Sequence, residues 1–187
     1  MLSRFSLPMP EASFSDLVEA HYAALYRFAL SLAKNQADAS DLTQQTFFVW
    51  ATKGQTLRDV SKAKTWLFTT LYREFLRVRR RGGKITAIED LPPGHQDVPD
   101  AEVDLVAKMD AQLVLAALQE VELVFREPLT LFYLQDLSYT EIAEILSVPI
   151  GTVMSRLSRG KVHLRARLAE KSTAGTIINF PKTSIRA

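Results

Sequence analysis

The stretch SYTEIAEILSVPIGTVMSRLSRGKVHLRARL, from Ser138 to Leu168, constrains the fold of this chain more than any other. Ser138 and Glu141 stand at capping-box spacing, in front of an apolar run of Ile142, Ala143, Ile145 and Leu146. Ser147 to Ile150 form a turn that contains Pro149 and is followed by Gly151. Val153, Leu157, Leu164 and Leu168 then recur at helical spacing, so the longer second helix has a stripe to bury. Two short helices, a tight turn and a basic second helix predict a helix-turn-helix. In that motif the second helix enters the major groove and the first crosses the DNA backbone. The pattern puts Thr152, Met154, Ser155, Arg156, Ser158, Arg159 and Lys161 on the exposed side of the second helix. An arginine there either pairs with a guanine edge or holds a phosphate. The plainer alternative is a solvated basic face.

The rest of the chain is also helical in pattern. Phe14, Leu17, Val18, Tyr22, Leu25, Phe28, Ala29 and Leu32 recur at steps of three and four, with Ser13 and Asp16 as an N-terminal capping pair. A second helix begins near Asp38 and carries Leu42, Phe47, Phe48, Val49 and Trp50. A third runs from about Lys62 to Arg81 and ends at Gly82-Gly83, with Trp66, Leu67, Leu71, Phe75 and Val78 on a core-like face. Beyond residue 104, Val106, Met109, Leu113, Leu115 and Leu118 mark one helix. Phe125 to Gln135 mark another, with Pro128 in its first turn. No segment alternates apolar and polar residues as a strand would. The expectation is an all-α chain of two small helical domains joined by a flexible acidic linker, the second domain holding the helix-turn-helix. The domains expected are 13–82 and 105–170. An N-terminal arm (1–12), the linker (83–104) and a tail (171–187) complete the chain.

Charge sharpens this division. The net charge is only +2, yet its distribution is uneven. From Arg73 to Lys84 six basic residues face one acid, Glu74; from Ile85 to Asp110 seven acids face one lysine; from Gly151 to Lys171 six basic residues face Glu170. The third helix interleaves Trp66, Phe68, Tyr72 and Phe75 with Arg73, Arg77, Arg79 and Arg80. Aromatics among arginines suit unpaired bases and a sugar-phosphate backbone, although such aromatics also serve as ordinary core. Arg73, Arg77 and Arg80 share one side, and like charges so close repel unless an anion is near. Cysteine is absent, which excludes disulfides, zinc-thiolate sites and thiol nucleophiles. His21, His95 and His163 are scattered and no phosphate-binding glycine loop is present. No enzyme, metal site or cofactor is expected. No apolar run approaches the ~20 residues of a membrane span, and a cytoplasmic protein is expected.

Three motifs, taken in order, resemble the small bacterial sigma factors of the extracytoplasmic-function group. They are DASDLTQQTFFVW (38–50), KTWLFTTLYREFLRVRRR (64–81) and LSYTEIAEILSVPIGTVMSRLSRGKVHLRARL (137–168). The resemblance implies a subunit that binds core RNA polymerase and directs initiation at promoters with −10 and −35 elements. It implies that Asp38, Asp41, Leu42, Gln44, Gln45 and Phe48 face the polymerase. It assigns the loop 51–64 to capture of a flipped −10 base. Lys64, Trp66, Arg73, Arg77, Arg79 and Arg80 then open and hold the −10 element. Thr152, Met154, Ser155, Arg156, Ser158, Arg159 and Lys161 grip the −35 duplex. An anti-sigma factor is an implied further partner. The chain departs from the family pattern at Ser40, Arg73, Arg77 and Met154. The competing reading is a stand-alone helix-turn-helix regulator that binds duplex DNA without the polymerase.

Overall fold

The computed structural model describes residues 14–54, 57, 59–82 and 111–173. The expected arm, Ser13, the acidic linker, Val106, Met109 and the end of the tail lie outside them. Every regular element among the described residues is helical.

Helices α1 (Phe14–Ala33), α2 (Gln36–Lys53) and α3 (Ala63–Arg81) pack together as a first module. The α1 stripe buries Leu17, Leu25, Phe28, Ala29 and Leu32, and Phe28 meets Phe68 of α3 with ring centroids 5.6 Å apart. The chain reverses at Lys34, which has a left-handed φ of 63°. Asn35 then caps α2, its side chain accepting from the Asp38 backbone N–H at 2.8 Å. That cap starts α2 two residues before Asp38, because a capping residue serves the N–H three positions on. Inside α2 the Thr43 and Thr46 hydroxyls donate to carbonyls four residues back, at 2.8 and 2.7 Å. Both can therefore be buried without an orphaned polar group. Gly54 follows α2 beneath the Trp50 ring, and a Cβ there would lie 2.5 Å from it. A 3-10 turn, Val60–Lys62, leads into α3, and Gly82 ends it. Val78 is an exception to the expected α3 core face. It is 54% exposed and, with Phe48 of α2, lines an open groove instead of the core.

Helices α4 (Ala111–Leu118), α5 (Leu123–Gln135), α6 (Tyr139–Leu146) and α7 (Ile150–Thr173) form the second module. Arg126 closes the turn after α4, its guanidinium donating to the Gln119 and Val121 carbonyls at 3.0 and 3.3 Å. Helix α5 begins two residues earlier than its apolar pattern suggests, so Pro128 stands in the second turn. Proline has no N–H to give to the Val124 carbonyl, so the α5 ladder lacks one bond there. The α6 cap is a full capping box. Ser138 N–H donates to Glu141 at 2.9 Å and Glu141 N–H donates to the Ser138 hydroxyl at 3.3 Å. The Ser138 hydroxyl, donating to Glu141 Oε2 at 2.7 Å, and the Ser138 N–H hold the Glu141 carboxyl below its ordinary range. Ser147 ends α6 with a left-handed φ of 55°, and Pro149 O accepts the first α7 N–H groups. Gly160 lets α7 approach α5 closely. A Cβ there would stand 2.8 Å from a Leu129 methyl and 3.1 Å from Phe125 Cβ.

The modules also touch each other. Helix α1 packs on α5 and α4, and α3 packs on α6.

Candidate polymerase and nucleic-acid interfaces

The α2 residues form one face. Asp38, Asp41, Gln44 and Phe48 are exposed and Gln45 is half-buried. All five line an open groove whose far wall includes Arg77 and Arg79 of α3 and Arg126 of α5. Phe48 is 64% exposed, unusual for a phenylalanine. Leu42 differs from its neighbours in being only 5% exposed. Its helical position turns it into the α1–α2–α3 core, so its contribution is to hold the face.

On α3 the basic residues separate. Arg73, Arg77 and Arg80 are exposed on one side. Arg77 Nε lies 2.7 Å from Glu74, which relieves part of the repulsion along the row. Arg79 lies over the Phe75 ring, 5.5 Å from its centroid. Trp66 is half-buried and meets Trp50 edge-on at 5.0 Å. Phe68, Tyr72 and Phe75 are core, so Trp66 alone of these aromatics keeps a partly open ring. Lys64 is half-buried and donates to the Gln135 carbonyl at 2.6 Å. Burial, then the charge of Lys64, lowers the pKa of nearby His21.

On α7 two residues expected on the exposed side are inside. Arg156 is 4% exposed and Lys161 is 6% exposed. Lys161 extends over the Phe132 ring of α5, 5.6 Å from its centroid. Arg156 turns toward Glu127 of α5. Glu127 is 1% exposed and its carboxyl is pushed up to about 7 by burial, against the pull of Arg156, Tyr72, Arg79 and Arg126. The Tyr72 hydroxyl lies near this carboxyl, yet neither Glu127 oxygen has a well-aligned hydrogen bond. Arg126, itself buried, is brought down to about 10 by desolvation. Helical periodicity put Arg156 and Lys161 at the edges of the apolar stripe. Only the opposite surface of α5 draws them in.

The surface that remains on α7 is therefore narrower than the sequence suggests. It holds Gly151, Thr152, Met154, Ser155, Ser158 and Arg159. Met154 is 51% exposed. Ser155 donates its hydroxyl proton to the Thr152 carbonyl at 3.0 Å, leaving its oxygen as an acceptor. Gly151 has open space around it. Glu127 and Tyr72 belong to the site's architecture, and sequence reasoning missed Glu127 and the place of Tyr72 beside it. A glutamate beside Arg126 in an otherwise apolar helix was the available signal.

Comparison with known proteins gives a consistent picture. The Sigma-70 region 2 family matches residues 17–85 and the Sigma-70 region 4 family matches residues 111–164. The chain is 36% identical over 171 residues to the ECF RNA polymerase sigma factor SigE of Mycolicibacterium smegmatis, covering 86% of this chain and 63% of that protein. It is 26% identical to SigW of Bacillus subtilis, covering 84% of this chain and 90% of that protein. The sigma factor RpoE of Bartonella quintana, solved in complex with the anti-sigma factor NepR, superposes with a TM-score of 0.64 at 29% identity, covering 84% of this chain and 98% of that one. The fold also matches that of CnrH, solved with the cytosolic domain of CnrY, with a TM-score of 0.59 at 22% identity, covering 85% and 89% of the two chains.

Proposed function

The chain belongs to the extracytoplasmic-function sigma factors, and from that premise we propose that it binds core RNA polymerase and directs initiation at promoters with −10 and −35 elements. One observation carries the reading. A region 2 fold and a region 4 fold stand in order in one chain, each presenting a cationic helix. A stand-alone regulator needs only the second of these.

In this reading Asp38, Asp41, Gln44, Gln45 and Phe48 meet the polymerase, with Leu42 beneath them. Carboxylates and amides around an exposed phenylalanine suit a basic, partly apolar partner helix. Trp66, with Trp50 and Gly54 behind it, stacks on an unpaired −10 base, a contact worth about 1–3 kcal/mol. Arg73, Arg77 and Arg80 hold the melted strand, and Lys64 and Arg79 join them once they leave the second module. At −35, Thr152, Met154, Ser155, Ser158 and Arg159 face the groove. Arg156 and Lys161 support the helix from behind. The reaction chemistry belongs to the polymerase; the sigma chain contributes binding and positioning. No helix among the described residues is long and apolar enough to cross a membrane, which accords with work in the cytoplasm beside the polymerase. An anti-sigma factor completes the partner set, as in the RpoE–NepR complex.

The test is run-off transcription. Core polymerase with this chain initiates from a two-element promoter, and core polymerase alone does not. A chain that binds duplex DNA by itself and never activates core enzyme is instead a helix-turn-helix regulator.

A further inference from the structure

Helix α3 carries two sets of polar residues. Lys64, Tyr72 and Arg79 face α5, Lys64 at the Gln135 carbonyl and the other two beside Glu127. On another side, at 3.6 residues per turn, Trp66, Arg73, Arg77 and Arg80 form one row. The three arginines of that row are exposed and Trp66 is half-buried.

The arginines are not equivalent. Arg77 Nε lies 2.7 Å from Glu74 Oε2, and Arg77 Nη2 is paired with the same oxygen. Glu74 is the better buried partner, with a side chain 18% exposed against 44% for Arg77. Among the described residues no carboxylate holds Arg73 or Arg80 in this way. Glu74 thus takes one edge of the Arg77 guanidinium. The tip of the fork, formed by Nη1 and the second Nη2 proton, is left over. Two parallel N–H groups at that spacing match O6 and N7 of guanine. Watson–Crick pairing leaves both acceptors open, so the match holds on paired and unpaired DNA alike.

The charge of Glu74 points the same way. It is the one acid in the basic stretch from Arg73 to Lys84. A carboxylate in a phosphate-binding row weakens every phosphate contact nearby. What it provides instead is orientation. A fixed fork has less freedom to lose on meeting one base than an arginine on a swinging stem. The pair also steadies α3 as an i,i+3 contact, but a role confined to the helix predicts no effect on sequence preference.

We propose that Arg77, oriented by Glu74, reads a guanine in the −10 element, while Arg73 and Arg80 beside it hold phosphate. The assignment rests on the sigma reading and narrows it. Arg77 stands about 16 Å along the helix from Trp66, so the guanine lies several nucleotides from the base stacked there. Arg77 is the specificity-determining contact and Glu74 the positioning residue behind it.

The test uses holoenzyme assembled from core polymerase and the full chain. The wild-type holoenzyme selects promoter fragments randomised across the −10 element. Each guanine on either strand of the selected element is then replaced by adenine or by 7-deazaguanine, which keeps its pairing and lacks only N7. At one guanine, adenine is expected to weaken open-complex formation about tenfold, and 7-deazaguanine by a smaller factor. Arg77→Lys keeps the charge without the fork and should abolish both penalties. Each penalty is a ratio within one holoenzyme, so any change in polymerase binding cancels. Glu74→Gln should bind all DNA more tightly yet shrink the adenine penalty. Arg73→Ala and Arg80→Ala should weaken all fragments alike and flatten the salt dependence.

Three results overturn the proposal. One is a selected element without guanine on either strand. Another is a set of penalties that persists in Arg77→Lys. The third is a Glu74→Gln chain with tighter binding and unchanged preference. If the wild-type holoenzyme still initiates, such results defeat only the assignment of Arg77. A wild-type holoenzyme that initiates at no selected fragment defeats the sigma reading, and the assignment with it.

Discussion

The two basic helices look alike in sequence and behave differently in space. On α3 the arginines at 73, 77 and 80 remain on the surface. On α7, Arg156 and Lys161 turn inward, while Arg159 stays partly open. The difference lies in what faces each helix. Of the α3 arginines only Arg79 comes near the Glu127 carboxylate, while Arg73, Arg77 and Arg80 lie on the exposed side. Helix α7 meets α5, which presents a buried carboxylate, Glu127, and an aromatic ring, Phe132. A cation near the edge of an apolar stripe is drawn in only when a counter-charge or a ring waits there, because an unpaired buried charge is costly. The basic residues of α7 thus divide into those left toward the surface and those that hold the helix in place.

That division can be broken most sharply at Arg156. Arg156→Ala removes the largest pull on a buried carboxylate, and urea unfolding should show a loss of about 3–5 kcal/mol. If the loss is below 1 kcal/mol and −35 binding alone suffers, Arg156 reads DNA and its buried position is not the working one. Its partner gives the next effect. The Glu127 carboxyl titrates near 7 in the folded chain, above its ordinary value. The folded state therefore holds a proton that the unfolded state has released. Stability should fall as pH rises from about 4.5 to 7, by something on the order of 3 kcal/mol, and then level off. Glu127→Gln should flatten that slope in thermal melts taken across the range. An unchanged slope would place the titrating group elsewhere.

Arg159 is the contrasting cation. Arg159→Ala should leave unfolding within about 0.5 kcal/mol of wild type. It should weaken −35 binding by about 1–3 kcal/mol and change the preferred base at one position. Uniform weakening across sequences would make it a phosphate contact. The smallest effect belongs to Met154, whose exposed thioether suits a thymine methyl. Replacing −35 thymines one at a time with deoxyuridine removes that methyl. One replacement should cost about 0.8 kcal/mol with the wild-type chain and nothing with Met154→Ala. Equal losses in both would remove Met154 from base readout.

Much of this architecture is legible along the chain. The α6 capping box, the turn at Ser147 to Pro149 and the buried stripe of Val153, Leu157, Leu164 and Leu168 all stand where their spacing puts them. The α2 face is legible too, apart from Leu42, whose position on the helix sends it into the core. Each of these features depends on contacts within four residues, or on one side of a single helix. Local chemistry is enough to specify them.

The burial of Arg156 and Lys161 has a different origin. Glu127 and Phe132 lie on another helix, and no spacing within α7 points to them. The same is true of Lys64 and Gln135, or Thr65 and Glu141, which are 71 and 76 residues apart in sequence. The sequence by itself determined an all-helical chain with two cationic helices and a helix-turn-helix. Only the tertiary structure decided which cations stay outside and that the two modules close on each other, because the energy of a charge is set by the groups that fold against it, whatever their place in the chain.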